Sequence, residues 1–174
     1  MHLTSPNLDG SSCLVVDSPI GSLRLDASTH GLVALSWTRT LLPTLPARGA
    51  SAEIDRARAF LCQSAAWLRA YFSGHSPLPP LPPLMPAGTA FQKAVWRQIV
   101  AIRPGTTTTY GEIARRLRRP GASRAVGQAV GANPLPVLIP CHRVLAAGGK
   151  LGGYSSGLPR KRWLLAHEGL TWIS

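Results

Sequence analysis

A proline-rich run divides this chain and limits what it can fold into. Residues 76–86 read Ser-Pro-Leu-Pro-Pro-Leu-Pro-Pro-Leu-Met-Pro and contain six prolines. Proline lacks a backbone N–H and has a fixed φ, so the run can form neither a helix nor an inner strand. We predict a semi-rigid linker over residues 76–88, between an N-terminal α/β domain (1–75) and a C-terminal domain (89–174). A PxxP ligand for a partner domain is the alternative, but a linker is favoured because the run joins two folded regions.

Basic residues are concentrated after this run. The chain of 174 residues has 19 Lys and Arg against 7 Asp and Glu, a net charge of +12. Residues 89–174 hold 13 of the basic residues but only two acids, Glu112 and Glu168. This asymmetry indicates a polyanion partner, most simply nucleic acid, although a basic domain without such a partner has the same composition. A lipid surface is disfavoured, because no helix pattern pairs a bulky apolar face with a basic one.

The remaining composition argues for a reducing compartment and against a membrane. No run of 18 apolar residues is present, and the first residues lack a secretory signal pattern. The three cysteines, Cys13, Cys62 and Cys141, are too few and too scattered for a disulfide framework. We expect a cytoplasmic protein, associated with the nucleoid if the source is prokaryotic. Scattered histidines and the absence of a CxxC pair predict no metal site.

Hydrophobic patterning in the N-terminal part predicts a small sheet and one helix. Residues 13–17, 22–26 and 32–37 have the pattern of three antiparallel strands joined by turns. Residues 38–50 have the composition of a loop. Apolar residues at steps of three and four then predict an amphipathic helix over about 52–73.

The C-terminal part is predicted to be mostly helical. Helices are expected near 91–102, 110–118 and 122–130, and Thr109 with Glu112 forms a capping-box pattern at the start of the second. Two short helices across a Pro-Gly turn, flanked by arginines, resemble a helix-turn-helix. Any helical pair with an exposed basic face is the alternative.

The third of these helices carries one long cation, Arg124, and otherwise mostly small side chains. Readers of the major groove usually need several long polar groups, whereas small residues allow the close approach of a sequence-tolerant minor-groove binder. Arg124 is then the single inserting side chain. The alternative is that the small residues only pack helix against helix.

Cys141 is the candidate nucleophile. It follows a predicted short apolar strand (137–139) and a proline, has His142 beside it, and lies in the basic half. A nearby base or cation favours the reactive thiolate. Glu168 is the candidate to orient His142 by elimination, because Glu112 already has a capping role. Cys13 and Cys62 are interpreted as small buried apolar residues.

The segment Pro140-Cys141-His142-Arg143-Val144 resembles the PCHRV signature of the O6-alkylguanine-DNA alkyltransferases, also called methylated-DNA–protein-cysteine methyltransferases. The resemblance covers residues 89–170, whereas the N-terminal half is similar only in layout, most clearly at 18–21. Further blocks occur in the family's order at residues 110–114, 123–127, 133–134, 152–155 and 164–169.

The resemblance implies an α+β fold: a small N-terminal antiparallel sheet with a helix, ribonuclease H-like in the family, then a mostly helical domain with a winged helix-turn-helix. It implies a monomer that binds double-stranded DNA in the minor groove with little sequence specificity. The protein would flip O6-alkylguanine out of the duplex and transfer the alkyl group irreversibly to Cys141. This reaction uses each molecule once and needs no cofactor.

The resemblance also implies residue roles. Cys141 attacks the alkyl carbon, His142 acts as base through a water, and Glu168 orients the His142 imidazole. Tyr110 protonates the departing guanine and helps to turn the nucleotide. Asn133 holds the turn that positions the active-site segment. Arg124 fills the gap left by the flipped base. The implied DNA contacts are Tyr110, Ala122, Ser123, Arg124, Ala125 and Gly127, and the implied substrate pocket is Pro136, Val144, Gly152, Gly153, Tyr154 and Ser155.

Two other functions remain open at this point. One is an alkyltransferase-like protein that binds the lesion without catalysis, with Cys141 inert. The other is a thiol hydrolase unrelated to DNA, which would leave the basic half unexplained.

Overall fold

The computed structural model describes residues 12–39 and 51–173. The chain forms two compact units, Met1–Pro86 and Ala87–Ser174, which are described separately below. The predicted α+β class is confirmed. Most of the loop predicted over 38–50 falls at 40–50, outside the described residues.

The first unit contains the predicted antiparallel meander. Its strands are β1 (Ser12–Val16), β2 (Leu23–Ser28) and β3 (Gly31–Trp37), in the order β1-β2-β3. Alternate residues of β2 are buried, as expected for a sheet with one face on a core. Helix α1 (Ala52–Phe72) covers that face with a stripe of buried residues that includes Leu61 and Leu68.

The proline-rich run is extended, and its last residues pack along β3. Leu32 donates its N–H to the Pro83 carbonyl at 2.9 Å, and Met85 donates to the Leu32 carbonyl at 2.7 Å. Gln63 of α1 also bonds the Pro80 carbonyl, at 3.1 Å. Through Pro86 the run thus falls within the first compact unit. Carbonyl groups of prolines can still accept bonds, so the missing N–H groups do not prevent this docking.

The second unit is built on four helices: α2 (Ala90–Val100), α3 (Tyr110–Arg116), α4 (Ser123–Gly131) and α5 (Leu158–His167). A short parallel pair, β4 (Thr108–Thr109) and β5 (Val144–Leu145), joins the start of α3 to the active-site region. A 3-10 turn at Pro120–Ala122 separates α3 from α4. None of the described helices is long and apolar enough to span a membrane.

The C-terminal helix α5 was not predicted from its hydrophobic pattern. Three consecutive basic residues, Arg160, Lys161 and Arg162, interrupt the apolar spacing. The middle one, Lys161, is nevertheless fully buried. A helix whose inner face includes a lysine does not show the expected apolar period.

The strand predicted over 137–139 is wrong. The segment forms a turn in which Ile139 donates its N–H to the Leu135 carbonyl at 2.8 Å, with only an isolated bridge between Pro136 and Ile139. Val137 has a φ of +73°, a left-handed conformation that a β-branched residue rarely adopts. The segment is apolar because it is buried, and burial alone does not distinguish a strand from a turn.

The capping box at the start of α3 is present as predicted. The Thr109 hydroxyl accepts the Glu112 N–H at 3.2 Å, and the Glu112 carboxylate accepts the Thr109 N–H at 3.1 Å. We expect Thr109→Ala to lower the free energy of unfolding by about 1 kcal/mol, because one N-terminal N–H loses its partner. Urea denaturation measures this change.

Thr107→Ala is the matched control, since Thr107 is exposed in the loop just before β4. Equal stability of the two variants would contradict a stabilising role for the cap.

Candidate active site

A buried carboxylate lies at the centre of the site. Glu168, at the C-terminal end of α5, accepts a hydrogen bond from His142 Nε2 at 2.9 Å on Oε1. Arg143 donates to both carboxylate oxygens, from Nε to Oε2 at 2.8 Å and from Nη2 to Oε1 at 2.7 Å. Arg143 Nη1 also donates to the Ile102 carbonyl at 2.6 Å. The structure therefore brings together His142 and Glu168, the pair predicted by elimination.

These bonds set the protonation states. Burial by itself raises the pKa of Glu168, but the hydrogen bonds from His142 and Arg143 outweigh it and hold that pKa well below its ordinary range. Burial lowers the pKa of His142, and the bond to Glu168 opposes this only in part. The imidazole is thus neutral. Because a carboxylate only accepts, Nε2 carries the proton and Nδ1 has the lone pair.

Cys141 opens a short 3-10 turn (Cys141–Arg143) directly before His142. Its side chain is buried, and burial raises the pKa of the thiol. Hydrogen bonding to Asn133 and Tyr154 and the charge of Lys161 oppose this rise. The thiol remains protonated at neutral pH and needs a base before it can act as a nucleophile. His142 Nδ1 has no hydrogen-bond partner among the described residues.

Asn133 holds the turn before Cys141. Its Nδ2 donates to the Ile139 carbonyl at 2.8 Å, and its Oδ1 accepts the Leu135 N–H at 3.0 Å. These two bonds close the loop that contains two prolines and the strained Val137. A side-chain amide supplies both a donor and an acceptor here, where the prolines supply no N–H.

A cavity of about 350 Å³ leads to the thiol. Burial raises the pKa of Tyr110 on its wall, and the neighbouring Cys141 raises it further. The hydroxyl therefore keeps its proton at neutral pH. The lining residues are Tyr110, Gly127, Val130, Gly131, Cys141, Gly153, Tyr154 and Ser155.

Three of the residues predicted for the pocket, Gly153, Tyr154 and Ser155, thus line it. Pro136, Val144 and Gly152 lie outside that lining. A Cβ at Gly152 would approach the Tyr110 hydroxyl to 3.2 Å.

The residues predicted to contact DNA begin beside the cavity and continue onto α4. Tyr110 and Gly127 are close neighbours: a Cβ on Gly127 would lie 3.9 Å from the Tyr110 ring. Arg124 and Ala125 are exposed, and Ala122, Ser123 and Gly127 are half-buried. The predicted face is therefore accessible along the first turns of α4.

Lys161 is a site residue that the sequence analysis missed. Its side chain is fully buried, and Nζ donates to the carbonyls of Val144, Leu151 and Gly153 at 2.8, 2.5 and 3.2 Å. Burial lowers its pKa to about 8. Its position in the sequence could have predicted this burial, because Lys161 lies one helical turn before the buried Leu164 and Leu165 and so shares their face of α5.

Arg143 lies within the PCHRV segment, but the sequence predicts no role for it. The prediction that Cys62 is buried is wrong, because its thiol is exposed on α1, whereas Cys13 is half-buried.

The site places a buried cysteine directly before a neutral histidine that is held by a buried carboxylate, an arrangement that suits a cysteine nucleophile with a histidine base. A family model, the DNA-binding domain of 6-O-methylguanine DNA methyltransferase, matches residues 90–170. A methylated-DNA–protein-cysteine methyltransferase from Methanosarcina acetivorans is 40% identical over 89% of this chain and 96% of its own length. One from Shigella flexneri is 46% identical, and the match spans 60% of that relative's length.

Solved structures agree. Mycobacterium tuberculosis O6-methylguanine methyltransferase superposes with a TM-score of 0.74, at 37% identity over 91% of this chain and 92% of that one. The same organism's OGT in complex with DNA gives a TM-score of 0.73, at 40% identity over 88% of this chain and 90% of that one. The chain belongs to the methylated-DNA–protein-cysteine methyltransferase family.

We expect Glu168→Gln to lower the free energy of unfolding by about 3 kcal/mol at pH 7, because it leaves the buried Arg143 guanidinium without a counter-charge. Urea denaturation measures the loss. Glu53→Gln, in the first turn of α1, is the matched control at an exposed carboxylate.

The same carboxylate predicts a pH dependence. A folded pKa held below the unfolded value contributes stability above the unfolded pKa, and this is lost as pH falls through about 4 toward the folded value. Wild-type stability should therefore fall in acid, and Glu168→Gln should show a shallower decline. Parallel declines would contradict the ion pair's role.

Proposed function

We propose that this protein repairs O6-alkylguanine in duplex DNA by transferring the alkyl group irreversibly to Cys141, once per molecule. The observation that carries the proposal is a buried thiol that lines a cavity, followed in sequence by a neutral His142 whose Nε2 is bound to Glu168. The family membership and the DNA complex of a relative support the same activity.

The chemistry balances without a cofactor. Cys141 Sγ attacks the alkyl carbon in line, an S–C bond forms, and the bond between that carbon and the guanine oxygen breaks. The thiol proton passes to His142 Nδ1 through a water, and the Tyr110 hydroxyl donates a proton to the departing guanine. The imidazolium then gives up its proton to solvent and the Tyr110 phenolate takes one from solvent, so the net change moves the alkyl group to sulfur and one proton to guanine. The product thioether is not cleaved by water, so each molecule acts once.

His142 is essential to this scheme because the buried thiol is not already ionised. Glu168 holds the imidazole in the tautomer whose Nδ1 lone pair can accept a proton. A positioned general base typically contributes about 10²–10⁴-fold in rate. Arg143 keeps Glu168 ionised and so acts as a positioning residue.

The cavity walls supply recognition of the base. Tyr154 and Ser155 line the pocket, with Ser155 near the guanine oxygen, and backbone groups at Cys141 read the base edge. Val144 lies behind this wall, and its carbonyl accepts from Lys161 Nζ at 2.8 Å. Asn133 positions the turn that presents Cys141. Extruding a base costs a few kcal/mol of stacking and pairing, less where the pair is already damaged.

We further propose that α3 and α4 form a winged helix-turn-helix that enters the minor groove. The accessible residues of α4 are mostly small, which allows close backbone approach but little base readout. Arg124 is exposed and fills the space that the flipped nucleotide leaves. The DNA backbone on either side of Arg124 is contacted by the small residues Ala122, Ser123, Ala125 and Gly127.

All of these residues lie within 89–174. We infer that this part carries DNA binding and catalysis, and that residues 76–88, docked along β3 through Met85, connect it to the N-terminal domain (1–75). One chain supplies a complete set of reacting groups, so a monomer suffices for the reaction. We infer that it acts in the cytoplasm, associated with the nucleoid if the source is prokaryotic.

Mass spectrometry tests the reaction directly. Incubation with a duplex that carries one O6-methylguanine should add one methylene, stoichiometrically, to the peptide that contains Cys141. Cys141→Ala should show no addition, because it lacks the acceptor thiol.

Cys62→Ala, which removes an exposed thiol on α1, should react as wild type does. If the protein binds the duplex and its mass never changes, the protein is instead a lesion-binding module without catalysis. If its DNA affinity does not fall with salt, the thiol hydrolase becomes the better interpretation.

We expect His142→Asn to slow single-turnover methyl transfer at pH 7 by about 10²-fold or more, because the thiol loses its base. The variant's rate should rise steeply with pH as the thiolate forms without assistance, whereas wild type should change less. Rapid-quench kinetics at several pH values give both quantities. His75→Asn, at an exposed residue of the first unit, is the matched control.

A further inference from the structure

Arg118 has a backbone conformation that arginine rarely adopts. It follows α3 directly and has a φ of +57°, in the left-handed region. In that region the Cβ crowds the neighbouring carbonyl, and only glycine, with asparagine and aspartate less often, enters it routinely. An arginine there lowers the stability of the fold relative to glycine.

The conformation itself ends the helix. Arg119 donates its N–H to the Ala114 carbonyl and Arg118 donates to the Arg115 carbonyl, both at 2.9 Å. This pair of bonds is the Schellman motif, in which glycine is the usual residue at the position that Arg118 occupies. Helix termination therefore explains the left-handed backbone conformation, but it does not explain why this position holds arginine instead of glycine.

Within the described residues, no hydrogen bond or ion pair of the Arg118 side chain compensates for the strain. Among residues 12–39 and 51–173 the Arg118 guanidinium makes no hydrogen bond or ion pair, and the residue is exposed. Its neighbour Arg119, by contrast, lies with its guanidinium 5.7 Å from the centre of the Phe91 ring. A strained residue without an internal partner indicates an external one.

The surroundings of Arg118 suit a polyanion. Arg115, Arg116 and Arg119 are also exposed, and the one acid nearby, Glu112, is engaged by the capping box and lies 3.8 Å from Arg115. The turn after Arg118 leads within a few residues to Arg124 on α4. A cation flanking the helix that enters a groove is placed to reach the phosphates at its edge.

We propose that Arg118 contacts a backbone phosphate of the bound duplex, and that arginine stands at this left-handed position for that contact, at the expense of fold stability. The proposal rests on the DNA binding inferred above. It adds an electrostatic contact that lies outside the cavity and takes no part in alkyl transfer.

Three substitutions separate charge from strain. Arg118→Lys keeps the charge and the strain, Arg118→Ala keeps the strain without the charge, and Arg118→Gly removes both. Affinity for an unmodified duplex is measured by fluorescence anisotropy from 50 to 200 mM salt, and stability by the urea midpoint. Arg56→Ala, an exposed arginine of α1, is the control for loss of one charge elsewhere.

Affinity should follow charge and stability should follow backbone strain. One lost phosphate contact lowers the steepness of the slope of log affinity against log salt by about 0.9. The ratio of wild-type affinity to that of the Ala or Gly variant should therefore shrink about 3.5-fold between 50 and 200 mM salt. The Lys variant and Arg56→Ala should keep the wild-type slope. The urea midpoint should rise only in Arg118→Gly.

Wild-type affinity and slope in both neutral variants would overturn the proposal, as would a Gly variant no more stable than the Ala variant. Methyl transfer at saturating duplex separates this failure from that of the proposed function. Every Arg118 variant should still methylate Cys141. A wild-type protein that never becomes methylated would overturn the repair activity itself, and one that binds no duplex would overturn both.

Discussion

The ion-paired carboxylate of Glu168 is the interaction on which the C-terminal unit depends. It ends α5, fixes the active-site turn through His142, and reaches the segment after α2 through Arg143, whose remaining nitrogen bonds the Ile102 carbonyl. A buried charge without partners is strongly destabilising, so the loss of either Glu168 or Arg143 would leave the other charge uncompensated. The same bonds that satisfy the carboxylate also decide which imidazole nitrogen is free to accept a proton. Stability and catalytic readiness are therefore one property of this network.

Lys161 organises another part of the site in a similar way. Its ammonium group donates to three backbone carbonyls, those of Val144, Leu151 and Gly153. The cavity wall at Gly153 to Ser155 follows directly from this anchor. Irregular backbone that lines a pocket still needs hydrogen-bond partners, and a buried cation supplies several at once. Two of the 13 basic residues of the C-terminal half, Arg143 and Lys161, thus hold the interior together while most of the others face solvent.

Backbone strain is found close to the same functional elements. Val137, with φ of +73°, lies in the turn that Asn133 closes before Cys141, and Arg118, with φ of +57°, lies between α3 and α4. Both positions are over-determined by surrounding hydrogen bonds, which is the condition under which strained residues persist. The first unit is built differently: an antiparallel meander and one long amphipathic helix, with the proline-rich run docked along β3.

The sequence by itself determined the elements whose signals are local. Strand alternation, the stripe of α1, the capping box at Thr109 and the Cys141-His142 pair all depend on neighbouring residues. Glu168 was found because the C-terminal half has only two acids and Glu112 was already explained. Tertiary structure decided the rest: the turn in place of a strand at 137–139, the helix α5, the bidentate bond of Arg143, the burial of Lys161 and the exposure of Cys62. Each of these depends on which distant groups meet, because burial and hydrogen bonding between residues far apart in the chain leave no periodic trace in it.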